Sequence, residues 1–409
     1  MKEAETKSNC LKKTKLGRIP MDWETQKLVE LCNSKGSYGI NASAVSYRED
    51  LPAYLRITDI DDEGNFSRKK KMSVDDPNYE SFILQKGDVV FVRTGATVGK
   101  TYLYDLKDGE LVYAGFLIKF SIKESILNSS YLKYFTQSEN YWKWVNVMSV
   151  RSGQPGINGE EYGGLNVPLP PLPEQETIAN CLSVWDAAIT KQTKLIATKK
   201  QLKKALMQQL LSGKKRLPGF DGDWNKVSAG NIFKSVSKKN NDKEELLSVT
   251  QNKGVIPRSL LGGRVTMPSG KRDGFKLVEK GNFVISLRSF QGGLEFSEYK
   301  GLVSPAYTVL EEKQRINKSF YKHYFKSYEF IERLSIAVIG IRDGKQISYN
   351  DFCTVKIPNP EIDEQTAIAL ILDTVDQEIK LLKKQLKQYK QQKRGLIQQL
   401  LTGKIRLEF

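Results

Sequence analysis

The sequence predicts a mixed α+β protein built as a pseudo-two-fold internal repeat, with two mixed α/β blocks alternating with two long antiparallel coiled-coil helices. Three observations predict it. First, the stretch from Val167 to Leu217 returns without a gap from Ile357 to Leu407, so that Glu174-Gln175 falls on Glu364-Gln365 and Gln208-Gln209-Leu210-Leu211-Ser212-Gly213-Lys214 falls on Gln398-Gln399-Leu400-Leu401-Thr402-Gly403-Lys404. Second, both copies carry apolar residues in alternating steps of three and four, the stripe of a coiled coil. Third, short apolar runs broken by Gly and by Asn/Asp clusters fill the intervening segments, as in mixed strand-and-helix domains. The expected order is a first block over 1–166, a long helix over 167–217, a second block over 218–356 and a second long helix over 357–409. The repeat is far too long for a solenoid.

The blocks are cousins. Each opens near Asp-Trp, at Asp22-Trp23 and Asp223-Trp224, and each has a Lys-Gly turn feeding an apolar strand, at Lys86-Gly87-Asp88 and Lys280-Gly281-Asn282. Polar Gly-rich loops follow, then a strand, then an aromatic helix in which Tyr131, Tyr134 and Phe135 match Tyr321, Tyr324 and Phe325. At helical spacing these aromatics, with Tyr141, Trp142 and Trp144, read as core in preference to base-stacking platforms. His323, in the second of these helices, reads as a solvated residue.

In the first long helix the seam is Ile178, Leu182, Trp185, Ile189, Gln192, Ile196, Lys199, Lys203, Leu206 and Leu210. In the second it is Ile368, Leu372, Val375, Ile379, Leu382, Leu386, Tyr389, Lys393, Leu396 and Leu400. Lys203 and Lys393 interrupt both copies at the same point, as a register device, a partner contact or a snorkelling side chain. Pro and acidic residues at the entries and Gly213 and Gly403 at the exits mark the ends. Each helix should run about 38 residues, roughly 57 Å, and act as a spacer.

With 409 residues the chain has room for two or three domains. Its net charge of +17 is uneven: residues 190–217 hold nine Lys/Arg and no acid, and 380–409 hold nine against Glu408, which together account for the whole excess. Such a balance points to a polyanion or an acidic partner, or to solvated Lys on two helix faces. A single histidine removes most Ser-His, Cys-His and His-metal chemistry, and Cys10, Cys32, Cys181 and Cys353 are too scattered for a zinc cage. No apolar run is long enough to span a bilayer, and the opening residues lack a signal-peptide pattern, which predicts a cytoplasmic location without membrane contact.

Loop residues are the candidates for binding. Arg reads guanine and Gln or Asn reads adenine through paired hydrogen bonds, while Lys, Ser, Thr and backbone amides hold phosphates. Arg93, Thr94, Lys100, Arg151, Ser152 and Gln154 supply this repertoire in the first block. Arg288, Ser289, Gln291, Arg342, Lys345 and Gln346 supply it in the second, with Arg56, Thr58, Thr250 and Lys253 as secondary candidates. Two motifs are set aside. Thr94–Thr101 (TGATVGKT) misses the first glycine of a phosphate loop. Asp76-Pro77-Asn78-Tyr79 lacks the second proline of an amino-methyltransferase motif and has no Gly-rich cofactor loop beside it. No catalytic residue, metal site or cofactor is expected in the chain itself.

In the doubled Pro-x-x-x-Glu-Gln entry (Pro170-Pro171-Leu172-Pro173-Glu174-Gln175), the Gln-Gln-Leu-Leu-[Ser/Thr]-Gly-Lys exit, and Lys86-Gly87-Asp88 with Arg93-Thr94-Gly95 and Ser152-Gly153-Gln154-Pro155, the chain resembles the specificity subunit of type I restriction-modification enzymes. The resemblance covers essentially the whole chain. It departs at the second entry, Pro358-Asn359-Pro360-Glu361-Ile362-Asp363, which is less Pro-rich, and at Arg342-Asp343-Gly344-Lys345, which replaces Arg151-Ser152-Gly153-Gln154. The resemblance implies that the blocks are target-recognition domains, each reading one half of a split site in double-stranded DNA. It implies that the helices set the unread gap and dock two methyltransferase subunits. Those subunits would hold S-adenosylmethionine and flip a target adenine, and restriction-translocase subunits would join them. Two readings compete with it: a self-sufficient methyltransferase or nuclease, and a coiled-coil scaffold whose blocks bind proteins.

Overall fold

The computed structural model describes residues 11–14, 17–239, 241, 243–261, 272–337 and 347–408. The chain divides into two compact units, Met1–Gln192 with Gln385–Phe409, and Thr193–Lys384. Each unit therefore combines one block with the N-terminal half of one long helix and the C-terminal half of the other.

The first unit is organised around a strand buried on both faces. Asp88–Val92 lies between Leu117–Ser121 and Thr101–Leu103 in an antiparallel sheet whose far edge is Ser37–Tyr38. Because side chains alternate along a strand, Val89 and Phe91 enter a core with Trp23, Tyr131, Tyr162, Leu182 and Leu400. Val90 and Val92 enter a second core with Leu55, Tyr102 and Leu111. A second four-stranded sheet, ordered Leu111–Tyr113, Ala53–Leu55, Met72–Val74 and Ala44–Ser46, covers that face. The start and end of the block are tied by antiparallel pairing of Glu24–Lys27 with Asn166–Leu169.

The second unit repeats the first sheet's topology, with Phe233–Val236, Thr308–Glu312, Phe283–Ile285 and Glu295–Phe296 in the same order. Lys226–Ser228 pairs with Lys356–Pro358 to close the block. The Lys-Gly turn has one explanation in both units: the residue after glycine reaches back to the backbone three residues earlier. Asp88 Oδ2 accepts from Gln85 N–H at 2.8 Å, and Asn282 Oδ1 accepts from Glu279 N–H at 2.8 Å.

The long helices span Leu172–Leu210 and Ile362–Leu400, 39 residues each. Every seam position is buried or half-buried. Within the first unit the halves run antiparallel, with Trp185 edge-on to Tyr389 (centroids 6.0 Å apart), Asp186 against Lys393 and Gln192 donating to Gln385 at 3.0 Å. Within the second unit Lys199 meets Glu378 at 2.7 Å and Lys203 meets Asp376 at 2.6 Å. The interrupting lysines thus do equivalent work. Lys203 pairs with Asp376 and Lys393 pairs with Asp186, each at 2.6 Å, on residues that correspond in the repeat.

The Glu-Gln entry is a buried junction. Glu174 is wholly buried, accepting from Trp23 Nε1 at 3.1 Å and from Arg406 Nη2 at 2.7 Å. Glu364 is 1% exposed, accepting from Trp224 Nε1 at 2.8 Å and from Arg216 Nη2 at 2.8 Å. Gln175 Oε1 accepts from Asn128 N–H at 2.9 Å and Gln365 Oε1 accepts from Asn317 N–H at 2.8 Å, each at the start of the aromatic helix. Gly213 and Gly403 end the helices in the left-handed region (φ +71 and +65). A Cβ on Gly403 would lie 2.2 Å from Pro20 Cγ, and one on Gly213 would lie 3.1 Å from the Trp224 ring, so the block entry packs directly on the helix exit.

The aromatic helices are core, as their spacing predicts: Tyr131, Tyr134, Phe135 and Tyr141 are at most 2% exposed. His323 corrects the sequence reading, being buried at 2% exposure with Nε2 2.9 Å from Asp373 Oδ1. Its helix turns toward the long helix, a tertiary fact that local spacing does not carry. Burial also pushes the Cys32 thiol up to about 12, which makes it unreactive. Cys10 lies outside the described residues.

Two predictions follow from this packing. Glu174→Ala leaves Trp23 Nε1 and Arg406 without their shared acceptor, and should destabilise the first unit by about 3 kcal/mol, read as a fall in thermal midpoint. The second concerns His323, whose pKa is lowered first by burial and further by Lys203, against the opposing pull of Asp373 and Asp376. An unfolded His takes up its proton as pH falls through about 6.5, while the folded one stays neutral. Its contribution is therefore intact above that pH and is lost as pH falls below it. Thermal denaturation of His323→Gln should show a smaller loss of stability between neutral and mildly acidic pH than the parent chain shows.

Candidate nucleic-acid interface

In the first unit two loops are zipped into one surface. Arg93–Lys100 joins the antiparallel strands Asp88–Val92 and Thr101–Leu103, so the TGATVGKT stretch is a hairpin connection with no helix behind it. The segment after helix Glu139–Met148 runs alongside it. Gly95 N–H donates to Pro155 O at 3.0 Å, Thr94 Oγ1 to Pro155 O at 3.3 Å, and Ile157 N–H to Arg93 O at 2.8 Å. Gly95 has φ +84, and a Cβ there would sit 3.2 Å from Gln154 Nε2. Arg93, Thr94 and Gln154 are thereby brought together, and Ser152 and Gln154 are exposed.

The other basic candidates of this unit, Arg56, Lys100 and Arg151, are engaged. Arg151 Nη2 lies 2.6 Å from both oxygens of Glu161, and its Nη1 donates to Met148 O and Val150 O at 2.9 and 2.8 Å. Glu161 is itself held, accepting from Asn158 N–H at 2.8 Å at the start of helix Gly159–Gly163. Arg56 makes paired 2.8 Å bonds to the buried Asp59, Lys100 meets Asp62 at 2.6 Å, and Thr58 is exposed beside Asp59. Arg56 and Lys100 therefore serve to fix the 56–62 loop in the free chain.

Tyr38 was not singled out from the sequence. It stands 43% exposed with its ring 4.9 Å from the Arg93 guanidinium and its Oη accepting from Gly159 N–H at 3.0 Å. The available signal was a Gly-flanked aromatic, Gly36-Ser37-Tyr38-Gly39, on a strand too short to show alternation.

In the second unit Thr250 Oγ1 donates to Gly254 O at 3.0 Å and accepts from Lys253 N–H at 3.1 Å, closing the turn between Leu247–Thr250 and Gly254–Pro257. Lys253, Arg288 and Gln291 are exposed. Ser289 is only 1% exposed and its hydroxyl accepts from Ser286 N–H at 2.8 Å, so it holds the turn and faces away from solvent. Lys326 stitches the two segments together by donating to Gly292 O at 2.9 Å and Gln251 O at 3.5 Å while pairing with Glu295. Gln251 thus joins Lys253, Arg288 and Gln291. Arg342, Lys345 and Gln346 lie outside the described residues.

Part of the positive charge of the two basic segments is also spoken for. Lys199, Lys203, Arg216, Lys390, Lys393 and Arg406 each meet a carboxylate within their own unit. No helix among the described residues is long and apolar enough to cross a membrane.

The chain is 26% identical over 98% of both chains to the putative type I restriction enzyme MjaX specificity subunit of Methanocaldococcus jannaschii. It is 24% identical, over 96% of this chain and 95% of the relative, to the MjaVIII specificity subunit of the same organism. Among solved structures, the S subunit of a type I restriction-modification system from M. genitalium shares the fold with a TM-score of 0.57 at 16% identity, covering 95% of this chain and 96% of that one. Residues 20–199 and 221–391 both match the type I restriction modification DNA specificity domain. With both blocks and most of both helices inside those matches, the chain belongs to the type I restriction-modification DNA specificity family.

Proposed function

We propose that this chain is the sequence-reading subunit of a type I restriction-modification complex, with each unit reading one half of a split, asymmetric site in double-stranded DNA. The surface built from 93–100 and 149–157 reads one half. The surface built from 250–253 and 286–292 reads the other, aided by the segment that carries Arg342, Lys345 and Gln346. The two long helices set the unread gap and dock two methyltransferase subunits, which hold S-adenosylmethionine and flip the target adenine. Restriction-translocase subunits complete the assembly in the cytoplasm. This chain contributes recognition and scaffolding, and the reactions belong to its partners.

One observation carries the reading. The framework is doubled residue for residue, with Glu174/Glu364, Trp23/Trp224, Arg406/Arg216 and Lys393/Lys203 in matching roles. The exposed loops are not doubled: Arg93-Thr94-Gly95-Ala96 stands against Leu287-Arg288-Ser289-Phe290. A repeated frame with unlike polar loops is what reading two different half-sites requires.

The decisive experiment is modification-sensitive long-read sequencing of DNA from cells carrying this chain with its methyltransferase. A split motif should be methylated only when the chain is present, and replacing 218–356 should change one half of it while leaving the other intact. A change in both halves would sink the modular reading. A second measurement concerns Arg151. Glu161→Gln keeps an acceptor for Asn158 N–H but removes the charge that holds the guanidinium. DNA affinity should rise, and the slope of log K against log salt should steepen by about 0.9 if the released Arg151 meets one phosphate. An unchanged slope in a salt titration would exclude that contact.

A further inference from the structure

We infer that Tyr38 is a positioning residue that holds Arg93 as the direct reader of a guanine in the half-site bound by the first unit. The inference rests on the recognition role proposed above and assigns one contact within it.

Arg93 differs from its neighbours in what it touches. Arg56, Lys100 and Arg151 are each paired with a carboxylate. Among the described residues the Arg93 guanidinium meets no carboxylate, and its contact is the Tyr38 ring at 4.9 Å. A ring contact, unlike a carboxylate pair, engages the guanidinium without spending its N–H donors on a charged acceptor, which leaves them for paired hydrogen bonds to guanine O6 and N7.

The pair is held at four points. Arg93 N–H donates to Phe116 O at 3.1 Å, and Arg93 O accepts from Ile157 N–H at 2.8 Å. Two residues on, Gly159 N–H donates to Tyr38 Oη at 3.0 Å. Tyr38 itself is fixed by strand pairing with Ile118. A long side chain that is already ordered loses less conformational freedom on binding, so its hydrogen bonds count more fully toward recognition.

The second unit supplies an independent comparison. Laying Lys86-Gly87 on Lys280-Gly281 puts Leu287 where Arg93 stands, and carrying the register across the two sheets puts Ser237 where Tyr38 stands. Both members of the pair are absent together from a unit that keeps the Glu-Trp-Arg junction and the Lys-Asp seam pair. A pair serving only the fold would be expected among the doubled features, alongside the Glu-Trp-Arg junction. This pair falls among the loop features that distinguish the two units.

The test uses the whole chain with its methyltransferase partner and reads the methylated motif base by base. Tyr38→Ala and Arg93→Lys should each relax preference at one and the same guanine position by about 10- to 100-fold. The other half of the motif should be untouched, and the double variant should be no worse than either single one. Tyr38→Phe keeps the ring and should retain most of the preference. An unchanged motif in Arg93→Lys would overturn the inference, as would Tyr38→Ala and Arg93→Lys acting at different positions. Where Tyr38→Ala fails to fold, Tyr38→Leu takes its place: it keeps an apolar side chain but no ring, and preference should fall at the same guanine as in Arg93→Lys, whereas a retained preference would overturn the inference. Absence of any chain-dependent motif with the parent chain would remove the recognition role and this contact with it, whereas a parent motif that the variants leave intact would remove this contact alone.

Discussion

The arrangement of each unit depends on one buried carboxylate, Glu174 in the first and Glu364 in the second. A carboxylate taken out of water is costly unless it is fully paired, and each is paired by groups brought from distant parts of the sequence. Trp23 and Arg406 reach Glu174 across 151 and 232 residues, and Trp224 and Arg216 reach Glu364 across 140 and 148. The donors belong to a block entry and to the tail that follows the opposite helix, and the acceptor belongs to the first turn of a long helix. No one of the three can move without leaving a buried charge or donor unmet. The junction therefore sets where a block sits on its helix, and the turn at Gly213 or Gly403 exists to let the block entry pack against the helix exit.

A frame fixed in this way leaves the rest of the block free to vary. The strands at the centre are buried on both faces, so their apolar residues answer to packing. The loops that leave them answer only to the backbone bonds that join loop to loop, such as Gly95 N–H to Pro155 O. Side chains on those loops can change chemistry without touching the core. This division explains how one chain carries two copies of a scaffold with unlike surfaces, and why the seam lysines recur in both helices while Arg93 does not.

The doubled plan was legible in the sequence because it is written locally. A three-and-four apolar stripe, a Pro/acid entry and a Gly exit each report on neighbouring residues, and the structure places all seam positions in buried or half-buried settings. What was not legible was pairing at long range. Nothing near Lys100 reveals that Asp62 folds back on it, and nothing near His323 reveals Asp373 fifty residues away. Ser289 lies in a polar loop and yet points inward, because its hydroxyl is spent on the turn. Tyr38 escaped notice for the opposite reason: its significance comes entirely from Arg93 and Gly159, which the sheet brings to it. Polarity of a loop predicts exposure on average, while the identity of the partner decides which polar residue remains available.

The engaged arginines bear on how such a surface discriminates. Free cations on a DNA-facing surface add affinity for any sequence, because phosphate contacts carry no base information. Specificity is the ratio of specific to non-specific binding, and unpaired charge raises both terms. Pairing Arg151 with Glu161 and Arg56 with Asp59 keeps charge on the surface but lowers its pull on phosphates in general. A guanidinium held against a tyrosine ring keeps its full charge, and what the contact adds is orientation, which favours an acceptor pattern that matches the held donors. The same logic applies to the long helices and the tails that follow them, where six of the basic side chains that create the net charge are matched to carboxylates inside their own unit. A chain that serves as the reader within a larger DNA-binding assembly gains from this restraint, because its partners can supply affinity and it must supply choice.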